Sequence, residues 1–215
     1  MTDADGSLRP EPDSGHRHHH HDPRSGRFDP ARLLEQEARW REFADPVDLL
    51  RPLLQGDERL VVDVGAGVGR LTLAAAVVLS DCGGSVLAVD RQADMVEVVT
   101  RRLAEAGHTT GRAVQAEASR LPLADADADA VLMSAVLHDI EDPKAALREA
   151  RRVLRRGGRL VLIEFRPGAT DHGPPPEILF EPGRLVDMVR AAGFVPGEVL
   201  DGPGPLYRLV AVTPG

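Results

Sequence analysis

VVDVGAGVGR, residues 61–70, is an apolar run that carries one aspartate, Asp63, and ends on glycines at alternate positions, Gly65, Gly67 and Gly69. The apolar stretch from Leu60 suits a strand buried on both faces of a parallel sheet. Residues 71–79 continue with a helical pattern. Glycines between such a strand and helix let the backbone pass close to a ligand with no Cβ in the way. In an open α/β sheet, ligands sit beyond the carboxyl ends of the strands, where the strand order reverses. A glycine turn also joins strand to helix without binding anything. The whole unit, with Asp90 closing the next apolar run, is what favours a ligand site.

The same texture repeats along the chain. SVLAVD from Ser85, DAVLMS from Asp129 and RLVLIEF from Arg159 read as further buried strands, with helical patterns between them. Asp142 and Pro143 read as N-cap and first position of a helix carrying Ala146, Leu147, Ala150, Val153 and Leu154, which Gly157 and Gly158 should stop. Leu185, Met188, Val189 and Ala192 mark another helix, closed by Gly193. Two strands are expected near 197–200 and 206–212; DGPGP from Asp201 suggests a hairpin and an antiparallel strand. Before the first strand, ARLLEQEARWREF from Ala31 reads as a helix with Leu34, Ala38 and Trp40 inward, and PVDLLRPLL from Pro46 as a second. The βαβα alternation specifies a doubly wound α/β fold. Residues 1–27 are polar, His-rich and aperiodic and read as a disordered tail, which leaves 28–215 as one domain.

Composition narrows the partners. A formal net charge of −8 disfavours a protein that lives on nucleic-acid phosphates. No apolar run approaches the roughly 20 residues of a membrane span, and MTDADGSLRPEPDSG has no signal-peptide core. The single cysteine, Cys82, excludes an internal disulfide framework, so a cytoplasmic location is expected. The HRHHHH run from His16 could chelate a transition metal, yet an inert tail or an added tag explains it as well, and no metal is assigned to the site. His108 and His172 read as exposed loop residues. The dinucleotide fingerprint is G-x-G-x-x-G, and Arg70 stands at its third glycine, which speaks against NAD. Asp90 could accept both hydroxyls of a ribose, or cap a helix.

These residues resemble the class I S-adenosylmethionine-dependent methyltransferases. The likeness rests on VVDVGAGVG, VLAVD, AEASRLPLADADADAVLMSAVLHDIEDP and LREARRVLRRGGRLVLIEF, in that family's order. FDPARLLEQEARWREFADPVDLL, VLHDI and GPPPEILFEP add a resemblance to the small methyltransferases related to ubiquinone/menaquinone C-methyltransferases. The resemblance implies a Rossmann-like, mostly parallel seven-stranded sheet with one antiparallel strand, and S-adenosyl-L-methionine as cofactor. It implies that Asp63 and the loop of Gly65, Ala66 and Gly67 hold the methionine end, with Asp90 on the ribose and Arg91 beside it. Glu117, where the family more often has Asp, would receive the adenine amino group; Ala118 would offer backbone contacts, and Ser134 would lie near the cofactor.

His138 follows the fourth of the apolar strands expected from the resemblance. An imidazole titrating near neutrality suits a general base that removes a proton from an O, N or C acceptor; it could equally order its loop. Asp139, Glu141 and Asp142 read as loop and cap residues. Arg151, Arg152, Arg155 and Arg156 read as a solvated helix end. The acceptor, a small molecule, is expected between the N-terminal helix, residues 137–142 and residues 168–182. Three other readings stay open: a cofactor-binding protein without methyl transfer, an NAD-dependent oxidoreductase, for which a Tyr-x-x-x-Lys pair is missing, and a metal-binding chaperone. The sequence leaves the oligomeric state open.

Overall fold

The computed structural model describes residues 27–169 and 173–215. The His-rich run, His172 and all of the expected tail except Arg27 lie outside the described residues.

Helices α1 (Pro30–Phe43) and α2 (Pro46–Leu50) precede the sheet. Then come β1 (Leu60–Val64), α3 (Arg70–Leu79), β2 (Ser85–Asp90), α4 (Ala93–Glu105) and β3 (Gly111–Gln115). A helix-free stretch leads to β4 (Ala128–Ser134), followed by α5 (Pro143–Val153), β5 (Leu154–Phe165), α6 (Pro182–Ala191), β6 (Val195–Asp201) and β7 (Leu206–Val212). The seven strands run in the order β3-β2-β1-β4-β5-β7-β6. The pairs from β3 to β5 are parallel, and β7 runs antiparallel to both its neighbours. This is the expected doubly wound sheet with one antiparallel strand. The order reverses between β1 and β4, which puts the switch point at the glycine loop.

The apolar runs pack as their pattern requires. Val62, Val64, Val131 and Leu162 meet Leu147, Ala150, Leu185 and Val189 of α5 and α6 on one face. Val61, Ala130, Leu132 and Ile163 meet Leu50, Leu71, Ala75 and Leu79 of α2 and α3 on the other. Alternate residues of one strand thus serve opposite cores.

Three expectations need correction. In α1 the inward stripe is Leu33, Glu37 and Trp40; Leu34 and Ala38 are exposed. The register differs because buried Glu37 meets the Arg102 guanidinium at 2.7 Å, so a carboxylate occupies a position that reads as solvent-facing. Helix α5 ends at Val153, not at Gly157. Leu154, 1% exposed, is extended and pairs with Ala128, and both glycines lie in the bend that opens β5. Two of the four arginines there are engaged rather than solvated: Arg152 bonds Glu149 and Asp125, and Arg155 pairs with Asp129, whereas Arg156 is exposed. The edge strand β3, GRAVQ, carries no apolar run because it is only partly covered.

Candidate active site

Beyond the carboxyl ends of β1, β2 and β4 lies a cavity of about 820 Å³, within the range of about 300–1,000 Å³ usual for small-molecule and cofactor sites. Gly65 and Gly67 form one wall, Asp90, Arg91 and Gln92 the next, and Glu117, Ala118 and Ser119 a third. The segment after β4, from Ala135 to Asp142, faces the glycines, and Phe28 and Leu33 of the N-terminal region close one side.

The glycine loop is built by close approach. Gly65 has φ +70°, and a Cβ placed there would lie 2.1 Å from Val136 Cγ2. Only glycine fits, because the two cavity walls touch at this point. Its N–H and that of Ala66 both donate to the Val89 carbonyl, which pins the loop to β2. Asp90 then holds the loop from the side: Gly67 N–H donates to Oδ2 and Gln92 N–H to Oδ1, each at 2.9 Å. Each carboxylate oxygen keeps a further lone pair for a ligand. Burial raises the Asp90 carboxyl above its ordinary range, against the lowering effect of those two amides.

Gln92 joins the N-terminal region to this wall. Its Oε1 accepts from Phe28 N–H and its Nε2 donates to Phe28 O, at 2.8 and 2.9 Å. The Glu117 wall is fixed similarly: Ala116 N–H donates to Asp90 O, Gln115 Nε2 to Arg91 O, and Arg120 N–H closes a tight turn on Glu117 O.

Six of the ten expected site residues, Gly65, Gly67, Asp90, Arg91, Glu117 and Ala118, line this cavity. Ala66 and Ser134 border it in sequence without lining it. Asp63 is 2% exposed and points into the core, where its Oδ2 accepts the Thr72 hydroxyl at 2.6 Å. It does not line the cavity, and its bond to Thr72 ties β1 to the helix after the loop. Burial, with Asp90 adding repulsion, pushes its carboxyl up to about 6.

His138 also stands back. Its side chain is 2% exposed, and its Nδ1 donates to Glu164 Oε2 at 2.7 Å. Its ring meets Phe165 edge-on, 6.1 Å between centroids. Desolvation lowers the imidazole pKa, but the hydrogen bond and charge of Glu164, with Asp139, outweigh it, and the net shift is upward. Glu164 Oε1 accepts Leu137 N–H at 2.9 Å, so one buried carboxylate fixes the turn after β4. Glu164 was not among the expected residues, although a lone acid inside the apolar run LVLIEF is a visible anomaly. Phe28, Gln92 and Asp139 were likewise not assigned. Among the described residues of 168–182, none lines the cavity. Among the described residues no cluster of His, Cys, Asp and Glu could hold a metal.

The family described as "Methyltransferase domain" matches residues 62–162. A demethylmenaquinone methyltransferase of Clavibacter sepedonicus is 41% identical over 105 residues, 49% of this chain and 40% of that protein. A ubiquinone/menaquinone biosynthesis C-methyltransferase of Hahella chejuensis is 39% identical over 106 residues, 49% of this chain and 42% of that protein. The chain therefore spans less than half the length of these relatives. A SAM-dependent methyltransferase structure from Aquifex aeolicus superposes with a TM-score of 0.78 at 26% identity, covering 86% of this chain and 98% of the other. The [4+2]-cyclase SpnF shares the fold, with a TM-score of 0.69 at 20% identity over 78% and 79% of the two chains.

Proposed function

We propose that this chain, similar in sequence and fold to the class I S-adenosylmethionine-dependent methyltransferases, binds S-adenosylmethionine and directs its methyl group to an O, N or C nucleophile of a small molecule. The observation that carries the reading is the cavity at the switch point, where a glycine loop and a partly buried carboxylate, Asp90, meet. The residues fit the cofactor. Gly65 and Gly67 leave room for the methionine end, Asp90 offers acceptors to the ribose hydroxyls, and Glu117 and Ala118 face the adenine. Arg91 stands beside them. Asp63 and Thr72 hold the loop in place, and Ser134 ends the strand that carries the facing wall.

When bound, the cofactor supplies a methyl group already activated on a sulfonium. The protein's task is then to orient the acceptor in line and exclude water, which alone removes much of the barrier. Phe28, Leu33 and Ile140 give the cavity apolar surface for that purpose. His138 contributes by fixing the turn after β4; with Nδ1 held by Glu164, the nitrogen left for proton transfer is Nε2, which lies beside Asp139. The exposed thiol of Cys82, the only cysteine, suits a reducing compartment such as the cytoplasm. Among the described residues no helix is long and apolar enough to cross a membrane.

A second reading keeps the cofactor and drops the methyl transfer, because the fold also serves a protein named as a cyclase and fold does not fix reaction. Calorimetric titration with S-adenosylmethionine, S-adenosylhomocysteine and NAD tests what both readings share. Binding of both sulfur nucleosides without NAD is the expected result. Heat from NAD alone would return the site to dinucleotide chemistry. Methyl release from labelled cofactor over a panel of acceptors then separates the two readings.

A further inference from the structure

We propose that Glu164 is a positioning residue that fixes His138 in the tautomer with its hydrogen on Nδ1, so that the ring exchanges protons at Nε2, beside the cavity-lining Asp139. The inference rests on reading this cavity as a methyl-transfer site, and it deepens the part that His138 takes there.

Glu164 stands inside the apolar run LVLIEF and is 1% exposed. A carboxylate so deep is unfavourable unless bonds meet its oxygens. Three donors meet them. Leu137 N–H donates to Oε1 at 2.9 Å, and Phe165 N–H reaches Oε2 at 3.3 Å. His138 Nδ1 lies 2.7 Å from the same Oε2. Both oxygens already accept from backbone amides, so the hydrogen between Glu164 and the ring belongs to Nδ1. A neutral imidazole carries one N–H, and the bond made by one nitrogen sets the state of the other.

Among the described residues no other side chain bonds Glu164. Tyr207 stands opposite it on β7 but donates its hydroxyl to Phe180 O at 2.8 Å. Arg166 lies over the Tyr207 ring, 5.5 Å from its centroid, and bonds Asp201. Phe165 meets the imidazole with its ring edge-on and offers it no polar side-chain atom. On the other side of the imidazole, Asp139 Oδ2 lies 3.4 Å from Nε2, and Asp139 has a further interaction of its own. The short bond to Glu164 is therefore the one that decides the tautomer. Desolvation works against the protonated ring, while Glu164 and then Asp139 favour it.

The orientation has a chemical consequence. Nδ1 faces β5 and the core, and Nε2 faces a residue of the cavity wall. With Nδ1 committed, a proton is taken up and released on the cavity side. The same carboxylate anchors Leu137, next to the Val136 that meets Gly65, so the ring and the wall share one support.

The test reads the ring directly and needs no acceptor. Long-range proton–nitrogen correlation spectra of the full chain, with isotope-labelled histidine, show which nitrogen carries the hydrogen. The signals of His138 are those lost in His138→Gln. Spectra are taken across the imidazole titration for the unsubstituted chain, Glu164→Gln and Asp139→Asn. The unsubstituted chain should show the Nδ1–H ring once the imidazolium has lost its proton. Glutamine has one acceptor oxygen, and keeping it on Leu137 N–H turns its NH2 toward Nδ1. Glu164→Gln should therefore shift the neutral ring to Nε2–H. It should also lower the pH at which His138 titrates, because a charge that favours the imidazolium is gone. Asp139→Asn should keep the Nδ1–H ring. An Nε2–H ring in the unsubstituted chain, or one tautomer shared by that chain and Glu164→Gln, overturns the proposal. If calorimetry shows no binding of S-adenosylmethionine to the unsubstituted chain, the methyl-transfer reading falls instead, whichever tautomer the ring adopts.

Discussion

Asp63 illustrates how a motif residue can matter without lining the cavity. It sits in the middle of the apolar run, 2% exposed, with the Thr72 hydroxyl as partner. Burial raises its carboxyl from 3.8 to about 6. Between those values the folded chain holds more protons than the unfolded chain, so this residue's contribution to stability is present at low pH and is lost as pH rises through about 6. Asp63→Asn removes that dependence while keeping an acceptor for Thr72. The stability of the unsubstituted chain relative to Asp63→Asn should therefore fall by about 2 kcal/mol from pH 4 to pH 7, most of what a shift of about two pKa units implies. Urea unfolding of both proteins across that range measures the difference, in which titrating groups other than the neighbouring Asp90 cancel. A difference that stays flat would mean that Asp63 is solvated in the folded state.

At the scale of elements, the sheet is held at its amino-terminal side by one residue, Asp129. Its Oδ2 accepts the N–H groups of Arg59 and Leu60, each at 2.9 Å, and its Oδ1 meets Arg155. One side chain on β4 thus joins the start of β1 to the start of β5. Asp129→Ala should cost about 2–4 kcal/mol, since it strands two backbone donors and a partly buried guanidinium. A loss under 0.5 kcal/mol in denaturant unfolding would show that water replaces all three bonds. Elements of this kind also mark where the sequence stops being readable. Buried strands announce themselves by apolar runs, and the Asp142-Pro143 start of α5 by its cap. The glycine loop, Asp90 and Glu117 were legible because strand order alone brings them to one edge. Strand β3 was not marked, because an edge strand needs no apolar run. The stripe of α1 was misread because Glu37 is buried only through Arg102, which is 65 residues away in sequence. The surroundings of His138 were hidden for the same reason. Its partner, Glu164, lies on another strand, and no local pattern reveals that pairing.

For the whole molecule, the question is which parts of the chain the site requires. The N-terminal region meets the domain through a few specific contacts. Phe28 is clamped by Gln92, Arg27 pairs with Asp94 at 2.8 Å, and Glu37 pairs with Arg102, whose Nη1 also donates to Val68 O. Trp40 packs edge-on against Phe165, with centroids 5.4 Å apart. These contacts make α1 a wall of the cavity, since Phe28 and Leu33 line it and Gln92 does so from the opposite side of the clamp. All of these contacts are made by residues from Arg27 onward. A chain beginning at Arg27 should therefore bind S-adenosylmethionine with a dissociation constant within about twofold of the full chain. A chain beginning at Asp45 keeps the cap of α2 but lacks Phe28, Leu33, Glu37 and Trp40. It should bind at least tenfold more weakly, and circular dichroism should show that its α/β core persists. If removing residues 1–26 weakens binding several-fold, the His-rich run belongs to the site after all. If the Asp45 chain binds as well as the full one, the cofactor lies wholly within the sheet edge and α1 covers only the acceptor.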